Sequence, residues 1–172
     1  KEEIEKAKAG EETSIFLKMN SLTDRQLIDA LKEASQSGVK IKMIIRGICC
    51  ILPGIEGKTD NIEVISVVGR FLEHSRIFCF GTGENMKMYI ASADWMTRNT
   101  ENRVEIAAPI YDQKIKNSIY DTLRIMWKDN LKARILCSDG TYKKPEIKEG
   151  DELIDCQNYL RHEYKVGRKI KL

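Results

Sequence analysis

The residues best suited to chemistry stand in three short runs: Phe71-Leu72-Glu73-His74-Ser75-Arg76, Ser92-Ala93-Asp94-Trp95-Met96-Thr97-Arg98-Asn99, and Arg103-Val104-Glu105. Histidine occurs only twice in the chain, and one of the two, His74, lies two residues ahead of an arginine. An imidazole gives or takes a proton near neutral pH, and a guanidinium offers a planar fork that matches phosphate oxygens bidentately. Arg46, Arg76, Arg98 and Arg103 supply such forks. This set suits phosphoryl transfer, in which the protein mostly positions the groups and places cations around the phosphate oxygens.

Side chains two apart on a strand share a face, so His74 with Arg76, Ser92 with Asp94, Arg103 with Glu105, and Lys18 with Asn20 are expected to project in pairs near strand ends. Polar pairs on buried strands are costly unless they satisfy one another or a ligand. A buried network or a wet sheet face would explain any single pair. Four pairs together point to a site.

The elements that must carry these pairs are legible in the spacing. Glu2 to Ala9 is helix-prone up to Gly10, and Ser14 to Asn20 alternates with a strand's period. Thr23-Asp24-Arg25-Gln26 reads as a capping box for a helix carrying Leu27, Ile28, Leu31 and Ala34 up to Gly38. Val39 to Arg46 is then a strand parallel to the first through a helical crossover. A loop at Gly47 and Pro53-Gly54 leads to a strand over Asn61 to Val68.

Ile77 to Phe80 and Met86 to Ala91 read as a hairpin that sets the first two runs side by side, and Arg103 to Ile110 reads as a further strand. Asp112 caps a helix to about Asp129. Ala133 to Cys137 and Thr141 to Lys144 flank a turn at Ser138-Asp139-Gly140, and a last helix spans Glu152 to Glu163. The expected fold is a single α/β domain over residues 1–172, a mixed β-sheet flanked by helices.

Composition narrows the function classes. Apolar residues make up 42% and charged residues 32%, with no apolar run long enough to span a membrane. A net charge of +3 is too small for a typical nucleic-acid-binding domain. The basic tail with Lys165, Arg168, Lys169 and Lys171 reads first as a solvated terminus. Five cysteines form no C-x-x-C pair, which suits a reduced, cytoplasmic setting. The chain opens at Lys1 with neither an initiator methionine nor an apolar signal core, and is expected to be a piece of something longer.

His74-Ser75-Arg76 followed by Ser92-Ala93-Asp94 resembles the phospholipase D superfamily signature, His-x-Lys-x4-Asp followed by Gly-Ser-x-Asn. It departs in three places. Arg76 replaces the lysine, Gly81 stands where the aspartate would be, and Asp94 replaces the asparagine. These departures fit the polyphosphate kinases, which the chain resembles over nearly its whole length. The resemblance is carried by Leu17-Lys18-Met19-Asn20-Ser21-Leu22-Thr23-Asp24, Ile45-Arg46-Gly47-Ile48-Cys49-Cys50, Val68-Gly69-Arg70-Phe71-Leu72-Glu73-His74-Ser75-Arg76, and the Ser92 to Asn99 run.

The resemblance implies a phospholipase D-like C-terminal catalytic domain. Enzymes of that family move the terminal phosphate of ATP to polyphosphate, reversibly, through a phosphohistidine. It implies that the phosphorylated histidine and the Mg2+ ligands lie in preceding domains. The partners implied are adenine nucleotide (ATP or ADP), polyphosphate and those preceding domains, in a homo-oligomer, with peripheral membrane association left open.

The same resemblance casts His74 as the second active-site histidine and general acid or base. It casts Arg46 as a nucleotide-phosphate contact and Arg103 as another basic residue lining the site. Arg76, Lys18, Asn20, Arg98 and Asn99 are further candidates for phosphate contacts, and Asp94 or Glu105 is expected to orient His74. Two other readings compete: a phospholipase D-type phosphodiesterase or nuclease built from two such halves, and a non-catalytic domain that binds polyanions or serves assembly.

Overall fold

The computed structural model describes residues 1–167; Arg168, Lys169 and Lys171 of the basic tail lie outside the described residues. In chain order the elements are α1 (Glu2–Lys8), β1 (Ser14–Met19), α2 (Arg25–Gln36), β2 (Lys40–Ile45), β3 (Ile62–Ser66), β4 (Arg76–Phe80), β5 (Lys87–Ala91), α3 (Thr97–Asn102), β6 (Ala107–Ile110), α4 (Gln113–Trp127), β7 (Arg134–Leu136), β8 (Tyr142–Lys143) and α5 (Cys156–Lys165). The strands form one mixed sheet in the order β6-β5-β4-β1-β2-β3-β7-β8.

Alternation along β1 decides which layer each side chain joins. Ile15, Leu17 and Met19 point to the face covered by α1 and α2, where Ile4, Ile28, Leu31 and Ala34 meet Ile41, Met43 and Ile45. Phe16 points to the other face, against Ile44, Ile65 and the α4 residues Leu123 and Met126, with Cys156 of α5 beside them. Lys18 shares the Phe16 face by the same period, so a cation is carried into a buried layer.

β1 runs parallel to β2, and β2 parallel to β3, as a helical crossover requires. β4 returns antiparallel to β1, β5 to β4, and β6 to β5. The carboxyl ends of β1, β2, β3 and β5 and the amino ends of β4 and β6 therefore meet along one edge. The link over residues 67–75 joins β3 to β4, which the sheet order separates by β2 and β1, so it straps across that edge.

Local chemistry moves several boundaries from those the spacing predicts. The cap of α2 is Asp24, not Thr23: its side chain accepts from Leu27 N at 3.0 Å and from Thr100 Oγ1 at 2.8 Å. The strand expected from Arg103 begins only at Ala107, because α3 takes up the chain through Asn102, and this helix is not among the expected elements. The last helix starts at Cys156, where the Asp155 side chain caps Asn158 N at 3.1 Å. The hairpin stands as expected, with Arg76 opposite Ala91 and Gly81 turning the chain at φ +86°.

Candidate active site

The strap is fixed to the sheet from beneath by Lys18. Its side chain is 2% exposed, and Nζ lies 3.2 Å from Glu73 Oε2, 2.8 Å from Ser75 Oγ and 3.2 Å from the Ser75 carbonyl. Burial pulls the Lys18 pKa below the ordinary lysine range, and the Glu73 carboxylate offsets part of that fall. Lys18 is thus a buried cation under the strap, its ammonium engaged by Glu73 and Ser75. Ser75 turns away from His74 and Arg76, and its hydroxyl meets Lys18.

From α5, Gln157 holds the same strap by its backbone. Its Oε1 accepts from Phe71 N at 2.9 Å, and its Nε2 donates to Phe71 O and to Glu73 Oε1, both at 2.8 Å. Arg46, half-buried just past the end of β2, donates Nη1 to the Glu73 carbonyl at 3.3 Å. Glu73, Ser75 and Gln157 are the residues that sequence reading missed. The signal for Glu73 was present: a lysine between buried neighbours on a central strand needs a counter-charge.

His74 stands exposed on the outer side of the strap. Arg76 Nη1 lies 2.9 Å from its Nδ1, 3.3 Å from its Nε2 and 2.7 Å from its carbonyl oxygen. The rest of the fork goes to Asp94, with Nε to Oδ1 at 3.2 Å and Nη2 to Oδ2 at 3.1 Å. Asn20 donates its backbone N–H to Asp94 Oδ1 at 2.7 Å and its side-chain amide at 3.2 Å. Asn99 Nδ2 reaches the Asp94 carbonyl at 3.2 Å. Burial raises the Asp94 pKa, but the hydrogen bonds from Arg76 and Asn20 outweigh it and leave the carboxyl below its ordinary range.

This geometry corrects the expected pairing. Asp94 is occupied by Arg76 and Asn20, and Glu105 accepts from the Ser92 hydroxyl. The imidazole contacts a guanidinium, so neither carboxylate orients it. Ser92 and Asp94 part company because both lie beyond β5, where alternation no longer applies, and the Arg103–Glu105 pair likewise precedes β6. Asn20 and Asn99 serve Asp94 instead of facing outward, and Arg76 has most of its fork engaged. Arg98 and Arg103 are exposed, on α3 and just after it.

The other conspicuous residues have plain roles. Trp95 packs on Phe78 with ring centroids 5.3 Å apart, and its carbonyl accepts from Thr23 N and Asp24 N. His162 is exposed beside Glu163. Cys49 is half-buried, and burial pushes its thiol pKa up. Among the described residues no three histidine, cysteine, aspartate or glutamate side chains converge as a metal would require, and Glu73, Asp94 and Glu105 each have a protein partner. These residues do not fit a Mg2+ site.

Residues 1–157 match the model of the family described as polyphosphate kinase C-terminal domain 2. The chain belongs to this family. The polyphosphate kinase of Thermosynechococcus vestitus is 50% identical over 149 residues, covering 87% of this chain and 20% of that protein. The crystal structure of the polyphosphate kinase from Porphyromonas gingivalis superposes with a TM-score of 0.90 at 38% identity, over 96% of this chain and 25% of that one. The chain therefore spans about a fifth to a quarter of the length of these polyphosphate kinases. Nuc from Salmonella typhimurium, a phospholipase D family member, shares the fold with a TM-score of 0.53 at 16% identity, over 83% of this chain and 89% of Nuc.

Within the polyphosphate kinase family, the three departures from the phospholipase D signature each have a physical account in this chain. An arginine at 76 and an aspartate at 94 make a two-pronged ion pair that a lysine and an asparagine could not. Position 81 is the left-handed turn of the β4–β5 hairpin, which favours glycine over aspartate. Among the described residues no helix is long and apolar enough to cross a membrane.

Proposed function

We propose that the chain supplies one wall of a polyphosphate kinase active site, where the terminal phosphate of ATP passes reversibly to polyphosphate, with His74 as the acid–base group. The observation that carries this reading is the exposed His74 imidazole with Nδ1 2.9 Å from an arginine fork that Asp94 already holds in place. Arg76 Nη1 only donates and lies 2.9 Å from Nδ1 and 3.3 Å from Nε2, so the fork sits against the ring and fixes where it stands. In the acid role the imidazolium gives a ring proton to a phosphate oxygen and becomes neutral imidazole, and in the reverse direction the neutral ring takes that proton back.

Arg46 spends one N–H on the Glu73 carbonyl, which leaves the rest of its fork for nucleotide phosphate oxygens. Arg103 and Arg98, both exposed near the same edge, draw the polyanion toward it. The phosphate-carrying histidine and any Mg2+ ligands belong to other domains of a longer, cytoplasmic, homo-oligomeric enzyme. His74→Ala in a full-length enzyme carrying this chain is expected to abolish ATP-dependent polyphosphate synthesis while far-UV circular dichroism stays unchanged. Retained synthesis would refute the role, and robust hydrolysis of a chromogenic phosphodiester by the wild-type chain would favour a phosphodiesterase instead.

A further inference from the structure

His74 is held in place from a distance by α5. The Gln157 amide is bonded to both backbone groups of Phe71 and to the Glu73 carboxylate that Lys18 also holds. It fits there only because position 69 is glycine: a Cβ on Gly69 would stand 2.5 Å from Gln157 Oε1 and 2.8 Å from its Cδ. Gly69 is not among the glycines with positive φ, so its backbone would accept alanine, and the three atoms nearest the new methyl group all belong to Gln157.

We propose that Gly69 and Gln157 form a latch that positions His74, a role additional to the acid–base reading on which it rests. The latch fixes the backbone of Phe71 and Glu73, and through Glu73 the residue that follows. With the latch closed, the imidazole has one address relative to Arg76; with it open, the strap keeps its contacts to Lys18 and Arg46 but His74 is no longer held to that address. A displacement of about 1 Å at a reacting group lowers the rate on the order of 100-fold while substrate binding elsewhere persists.

The test is a double-mutant cycle in a full-length enzyme carrying this chain, with kcat and the KM for ATP measured in polyphosphate synthesis. Gly69→Ala and Gln157→Ala are each expected to lower kcat about 10- to 100-fold with KM changed less than about twofold. Gly69→Ala acts by pushing the Gln157 amide aside, so it should cost nothing further once residue 157 is alanine. Independent, multiplying losses in the double variant, an unchanged kcat in either single variant, or a loss confined to KM would each overturn the latch.

If Gln157→Ala melts below the assay temperature, Gln157→Ser replaces it, since it also leaves room for the new methyl group. His74→Ala is run alongside. Activity in that variant removes the acid–base reading and the latch with it. Inactivity there, with wild-type kcat in the latch variants, removes the latch alone.

Discussion

Asp94→Asn tests the charge arrangement behind His74 most directly. Asp94 accepts two bonds from Arg76, at 3.2 and 3.1 Å, and one from the Asn20 backbone at 2.7 Å. Asparagine keeps the size and one oxygen but turns the other acceptor into a donor, which must face either Arg76 or the Asn20 amide. Breaking a buried ion pair by removing one partner costs about 3–5 kcal/mol. The Arg76 and Asp94 side chains are 12% and 9% exposed, and the strap outside them is open to water, so the lower end, about 3 kcal/mol, applies.

For a chain of this size about 1 kcal/mol moves the melting temperature roughly 2–4 °C, giving a fall of roughly 6–12 °C at pH 7 by calorimetry. The pH dependence has a defined sign. Asp94 titrates below its unfolded value near 3.8, so its contribution is complete above about pH 4 and is lost as pH falls through the lower folded value. The gap between wild type and variant should hold between about pH 5 and 8 and narrow in stronger acid. A gap under about 2 °C at pH 7, or one that widens below pH 4, refutes the reasoning.

Restoring the phospholipase D aspartate by Gly81→Asp should destabilise the domain: the φ of +86° strains an L-residue by about 1–2 kcal/mol, and the new carboxylate would sit near the buried Glu3 carboxylate. Thermal melts should show a loss of at least roughly 2–4 °C, and an unchanged midpoint would contradict the turn argument. Alkylation of the native chain by iodoacetamide near pH 8, followed by peptide mass spectrometry, should label exposed Cys50 first. Cys79, its thiol pushed up to about 12 by burial, should react only after unfolding, and equal native rates would refute this.

Periodicity and turn chemistry made most of the architecture legible: the β1–α2–β2 crossover, the β4–β5 hairpin and the Asp112 cap lie where local spacing puts them. His74, Arg76 and Asp94 were legible too, because residue type and position relative to a hairpin suffice to bring them together. Their partners were not. Lys18 meets Ser75 across 57 residues, Asn20 meets Asp94 across 74, and Gln157 meets Phe71 across 86, and no local period encodes such distances. Alternation did not hold for Ser92 and Asp94 beyond β5, where each side chain's direction is set by the bonds it finds, with Glu105 and with Arg76.

The strap over residues 67–75 also bears on how the domain comes to fold. β4 pairs with β1 across a link that passes over two intervening strands, so the pairing that closes the sheet also lays the His74 segment along its edge. That closure comes at the cost of loop entropy before its contacts reward it. A chain that has formed only β1, α2, β2 and β3 holds Lys18 without its counter-charge and lacks the His74–Arg76–Asp94 cluster. The cluster thus exists only where both halves of the sheet have joined, and its presence reports that they have.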